Sequence, residues 1–163
     1  MAIVDFQFNV SLGREVELYN RIDSNDPTNS AFIMMVLAAS GLEQSEVLRD
    51  VDTFTALVSG TTNEVTNTGY SRKTLTDADL SAYTVDDTAN SITLTLPAQT
   101  FSTISTGDSW AMAVIGYDSD TTAGTDANII PVTAHVLRIS NAYIVPNGGD
   151  IVIDFSGGFI VAR

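Results

Sequence analysis

Trp110-Ala111-Met112-Ala113-Val114-Ile115-Gly116-Tyr117 is a nearly unbroken apolar run. A short run of this kind reads as a central strand covered on both faces. On its C-terminal side, Val132 to Val145 is followed by the turn formers Asn147-Gly148-Gly149, and then by Ile151, Ile153 and Phe155 alternating with Val152 and Asp154. This predicts a final hairpin, with Asn-Gly supplying positive φ angles. On its N-terminal side, Tyr83 and Val85 alternate with Thr84 and Asp86, Asp87-Thr88-Ala89-Asn90 turns, and Ile92, Leu94 and Leu96 alternate with Thr93 and Thr95, which predicts another hairpin.

Further upstream the pattern changes. Ala31 to Ala39 is continuously apolar and suits either a strand buried on both faces or a core helix. Val4, Phe6, Phe8, Val10 and Leu12 alternate with polar residues and predict a half-buried strand, as do Val16, Leu18 and Ile22 before the turn-forming Asp23-Ser24-Asn25-Asp26-Pro27. The single helical signal covers about residues 41–59. There Ser40 and Glu43 have capping-box spacing, and Val47, Leu48, Val51, Phe54, Leu57 and Val58 recur at helical intervals, with a break expected near Asp50. Strands divided by turns with one short helical region predict a mainly β chain, an antiparallel β-sandwich or jelly roll, with residues 1–163 as a single domain.

The chain has 163 residues, enough to bury about 70% of the surface its unfolded form exposes. It has no cysteine, so disulfides and thiolate metal sites are excluded. No secretory signal and no apolar run of about 20 residues is present, so no membrane association is expected. Twenty acids against seven bases give a net charge of −13, a field that repels phosphate backbones and argues against nucleic acid as a partner. Fifteen of the acids are Asp, which favours turns, so the loops carry the charge.

No residue set points to catalysis. The one histidine, His135, stands beside Val136 and Leu137 and reads as a satisfied strand residue, since a general base or a zinc site needs partners. No G-x-S-x-G, P-loop or dinucleotide fingerprint occurs. No cofactor is therefore expected. The loop from Asp118 to Asp126 is the best metal candidate: Asp118, Asp120 and Asp126 with Gly124 resemble the start of a calcium loop. Gly124 stands one place late, however, and Ile129 occupies the position of the bidentate glutamate, so an ordinary exposed turn is the first reading. Tyr70 and Arg72 also stand out. The simpler reading makes Arg72 an intramolecular partner for an acid and Tyr70 a strand residue with a satisfied hydroxyl, and the sharper one makes both interface anchors.

Leu12-Gly13-Arg14, Tyr19-Asn20-Arg21, Asn25-Asp26-Pro27, Ser30-Ala31, Gly41-Leu42, Leu48-Arg49-Asp50, Asn63-Glu64, Tyr70-Ser71-Arg72-Lys73, Tyr117-Asp118, Asp126 and Ile129-Ile130-Pro131 together resemble a family of small virion proteins of tailed bacteriophages, generally taken to be capsid decoration or cement proteins. The resemblance implies a non-enzymatic protein assembled in the bacterial cytoplasm. It would bind the major capsid protein on the outside of the shell and associate with itself, often as a trimer. Residues 1–12 would then act as a strand-exchange or docking arm, with Phe6 and Phe8 as interface candidates beside Tyr70 and Arg72. A head–tail joining, tail or fibre component and a carbohydrate-binding or adhesion module are the alternatives. The last requires exposed aromatics, whereas Trp110 lies in an apolar run that reads as buried.

Overall fold

A computed structural model describes residues 3–155 and 158–162. The chain is mainly β and antiparallel, organised around two long strands, β2 (Ala31–Ala38) and β7 (Trp110–Asp118). Both are buried along their whole length. They pair side by side at the centre of a five-stranded sheet, flanked by β8 (Ile130–Val136) with β1 (Phe6–Gln7) beyond it, and on the other side by β3 (Lys73–Leu75).

The apolar runs are continuous because each face of this sheet has its own core. Along β2, Phe32, Met34, Val36 and Ala38 enter one core while Ala31, Ile33, Met35 and Leu37 enter the other. The two-residue period of a strand distributes an unbroken apolar sequence equally between two layers. Burial on both faces therefore selects the strand alternative for Ala31–Ala38.

On the first face lie Leu18, Tyr19 and Ile22 of α1 (Glu15–Asp23), together with Leu94, Phe101, Ile153, Phe155 and Phe159 from the smaller sheets. In one small sheet β5 (Ser91–Leu94) pairs with β4 (Thr84–Asp86) and β12 (Ile160–Ala162), and in another β6 (Gln99–Phe101) pairs with β11 (Ile151–Ile153). The second face is covered by Phe6 and Phe8, by Leu48 of α2 (Ser45–Leu48), and by Phe54 and Leu57 of α3 (Phe54–Leu57). A two-stranded ribbon, β9 (Arg138–Ile139) and β10 (Ala142–Tyr143), extends from the end of β8. The arrangement is sandwich-like, with the second β layer divided among small sheets. No helix among the described residues is long and apolar enough to cross a membrane.

Several local expectations are corrected. The segment from Val16 to Ile22 is helical. Glu15, Leu18, Tyr19 and Ile22 are its buried residues, at the i, i+3, i+4, i+7 spacing of a helix, and strict alternation fails at Asn20. Glu17 also bridges Arg14 and Arg21 on the outer face. Only Phe6–Gln7 of the N-terminal alternation is a strand, after which Asn9–Ser11 tightens into a 3₁₀ turn. The helical region 41–59 is two single turns separated around Asp50. The capping box does not form, because Glu43 accepts a hydrogen bond from Thr62 instead, and it is Thr53 that caps α3 by accepting from the Ala56 N–H. The Tyr83–Leu96 hairpin forms, with Asp86 Oδ1 accepting from Thr88 and Ala89 in its turn. The final hairpin does not. β8 is drawn into the central sheet against β7, and β11 pairs with β6. Gly148, at φ +94°, turns the chain locally without setting which strands pair.

Candidate functional site

The edge strand β3 is followed inward through its side chains to the most connected polar cluster of the described residues. β3 covers β2 only as far as the Met34–Lys73 pair, and beyond it Val36 loses its strand partner. The Tyr70 hydroxyl fills the gap. It accepts from the Val36 N–H at 2.9 Å and donates to Glu64 Oε1 at 2.7 Å. Its ring stacks on Phe101 at 5.8 Å and meets Trp110 edge-on at 5.6 Å. Burial first, and then the Glu64 carboxylate, hold the Tyr70 hydroxyl well above its ordinary range, so it stays a neutral donor.

Arg72 lies between two carboxylates. Its Nε and Nη2 donate to Glu64 at 2.8 and 2.7 Å, and Nη1 and Nη2 donate to Asp126 at 2.6 and 2.8 Å. Two forks of this kind use the planar guanidinium in a way that lysine could not. The guanidinium carbon also stands 5.7 Å from the centre of the Phe54 ring. Hydrogen bonds to Asp126, and then to Glu64, hold Arg72 firmly cationic against its partial burial, and Arg72 in turn holds Asp126 below the usual carboxylate range. The cluster joins three segments: the stretch before β3, β3's own entry, and the β7–β8 loop. That loop is further fixed to α3 by Thr55 N–H donating to the Asp126 carbonyl and Phe54 N–H to that of Ile129. Both side chains are engaged within the chain, and Tyr70 stands in the stretch before β3 rather than in a strand.

The three calcium candidates are not brought together. Asp118 is buried and accepts from the Asp120 N–H, Asp120 accepts from the Thr122 N–H and hydroxyl, and Asp126 is taken by Arg72. Among the described residues no group of three His, Cys, Asp or Glu could hold a metal ion. Phe6 and Phe8 are likewise used internally. Phe8 is fully buried, Phe6 meets it edge-on at 4.9 Å, and β1 pairs with the chain's own β8. The described residues 3–12 thus pack on the chain's own β8 and second core, and residues 1 and 2 lie outside the described ones.

No family model, no curated protein and no solved structure matches the chain. Function must then be read from what the surface offers. His135 lies beside a cleft of about 340 Å³ that Asp5, Gln7 and Phe159 also line. Its Nε2 is 3.0 Å from Thr133 Oγ1, its ring is 4.7 Å from that of Phe155, and burial lowers its pKa although the Asp5 carboxylate opposes this. Thr133 also lines the cleft. Trp110 is fully buried, its indole N–H donating to Asn67, so it offers no platform for a sugar ring.

Sequence reasoning missed the most exposed apolar residues. Val145, Ile139 and Val152 are 68%, 66% and 58% exposed, more than any other large hydrophobic residue described. Ile139 and Val145 lie within a stretch that carries no acid between Asp126 and Asp150, in a chain of net charge −13, whereas Val152 stands between Asp150 and Asp154. The signal was present in the sequence as that gap in the acids.

Proposed function

We propose that this protein is a non-enzymatic structural component of a tailed-phage virion, one that binds the outer surface of the capsid and stabilises the shell as a decoration protein. The observation that carries the reading is the contrast between a chemically saturated interior and an adhesive surface. Arg72, Glu64, Asp126 and Tyr70 are committed to one another, while Ile139 and Val145 stand in solvent on a stretch that carries no acid between Asp126 and Asp150. Exposed aliphatics rimmed by polar residues mark protein-binding surfaces. The resemblance of the chain to phage virion proteins supplies the address.

The charge supports one side of the shell. A body of net charge −13 is repelled by packaged DNA and suits the exterior. Binding would be multivalent, many weak contacts acting together across the lattice. Cryo-electron microscopy of virions of the phage that encodes the chain tests this. Density for the fold repeated over the outer surface of the head is expected. Density confined to the neck, the tail or a fibre, or none on the virion, overturns it.

A further inference from the structure

The β9–β10 ribbon and a second cleft share one end of the central sheet. Trp110 opens β7. On one side it is paired with Ala38 of β2, and on the other it exchanges backbone hydrogen bonds with Ile144 at 2.8 and 3.1 Å. Ala38 forms part of the wall of a cleft of about 450 Å³ that Val58, Glu64, Thr66 and Asp108 also line. Ile144 is the root of the β9–β10 ribbon. Cleft and ribbon are thus separated by two strand spacings, about 10 Å.

Their chemistries are complementary. The ribbon exposes Ile139 and Arg138, the latter over the Tyr143 ring at 5.4 Å, and no acid lies within it. The cleft offers the apolar Ala38 and Val58 with the Asp108 carboxylate, and Glu64, which also lines it, is already taken by Arg72 and Tyr70. Thr66 donates from its N–H and its hydroxyl to Asp108 Oδ2, so Oδ1 keeps acceptor capacity. A ribbon with two residues per strand gains little stability alone, and exposed aliphatic side chains add to its need for a partner.

We propose that two copies of this chain pair about a two-fold axis at the Trp110 end of the central sheet, the β9–β10 ribbon of each seated in the Glu64–Asp108 cleft of the other. A two-fold contact requires one patch to carry both halves of a complementary pair, and this end does. Electrostatics restricts the choice further. Two bodies of net charge −13 repel on most approaches, and an acid-free ribbon carrying an arginine lessens that repulsion. The pairing goes beyond a decorating role and does not depend on it. It differs from the trimer that the family resemblance implies.

Sedimentation equilibrium of the full chain tests it, with Arg138→Asp, Asp108→Arg and Ile139→Asp variants checked for folding by circular dichroism. The wild type is expected to reach a dimer and stop there. Each single variant should raise the dissociation constant about tenfold or more, as loss of a close interfacial charge pair does. An equimolar mixture of Arg138→Asp with Asp108→Arg should restore the dimer, because each copy then carries the partner charge the other lacks. Asp108 also holds Thr66, so if Asp108→Arg does not fold, Arg138→Asp and Ile139→Asp decide the matter, both residues being exposed in the single chain. A monomer at every concentration, growth beyond two copies, or a dimer indifferent to Arg138→Asp and Ile139→Asp overturns the proposal. Loss of capsid binding with the dimer intact would count against the decoration reading alone.

Discussion

The indole N–H of Trp110 donates to the side-chain oxygen of Asn67 at 2.9 Å, a bond between two buried residues. Asn67 in turn donates from its amide to the carbonyls of Ser105 and Asp108, so one side chain ties the start of β7 to the loop that precedes it. Trp110→Phe keeps much of the ring packing against Phe101 and Tyr70 but leaves the Asn67 oxygen unpaired. A loss of about 1–3 kcal/mol in urea unfolding is expected, the cost of an unsatisfied buried acceptor. Trp110 is the only tryptophan, so blue-shifted emission in the native wild type should move to the red in a single step on unfolding.

Gly116 and Phe54 impose a different constraint. The Phe54 ring occupies the place a Cβ on Gly116 would take, and Ile129 Cγ2 would lie only 2.8 Å from it. Gly116→Ala therefore forces α3 away from the sheet and should cost about 1–3 kcal/mol as an overpacked core. Chemical denaturation of the variant measures it directly. An unchanged midpoint would mean that α3 shifts freely.

Much of the fold was legible because its signals were local. The β4–β5 hairpin and β7 follow from alternation, turn residues and an apolar run, whereas the run at Ala31–Ala39 was equally compatible with a core helix. The helix over Glu15–Asp23 was hidden because Val16 and Leu18 can be read at either period, and only the buried Tyr19 beside Leu18 distinguishes them. The partner of β11 was not legible, because Asn147-Gly148-Gly149 reports a turn whereas pairing with β6 is decided by distant packing of Ile153 and Phe101 in one core. Of the candidate residues, Arg72 was recognisable as an acid's partner from the scarcity of bases. That it would have two partners, Glu64 and Asp126, depended on a loop closing over α3.

That double fork gives a third expectation. Arg72→Met leaves Glu64 and Asp126 facing each other, at sites still partly open to water, and should cost about 2 kcal/mol after allowance for screening. Arg72→Lys should recover only part of this, since an ammonium cannot form two planar forks. The pH dependence follows from Asp126, whose pKa is lower in the folded state. Its contribution is full above the unfolded carboxylate value, about 4, and is lost as the pH falls through the folded value. Arg72→Met should therefore flatten the acid limb of a stability profile below that pH.

Phe8 separates the internal role of the N-terminal segment from an external one. Its ring is fully buried in the second core, and its N–H donates to the Val132 carbonyl at 3.0 Å. Phe8→Ala should lower stability by about 3–5 kcal/mol, as expected for a large aromatic removed from a core. Deleting residues 2–12 should destabilise the whole domain. A truncated chain that melts like the wild type would favour the docking arm instead.

His135 gives the last expectation, at milder acidity. Burial lowers its pKa, so the folded protein resists a proton that the unfolded chain accepts. Above the unfolded value, about 6.5, the histidine contributes no pH dependence; below it the unfolded state is favoured progressively, until the pH passes the folded value. The charged groups acting on the ring include Asp5, which would favour the imidazolium, but Asp5 is already held by the Val136 N–H at 2.7 Å. His135→Gln retains a polar group near Thr133 and removes the titration. The melting temperature of the wild type should fall more steeply than that of His135→Gln as the pH drops from 7.5 towards 5, about the range in which a histidine titrates. Parallel profiles would show that the imidazole takes up its proton as readily in the fold as outside it.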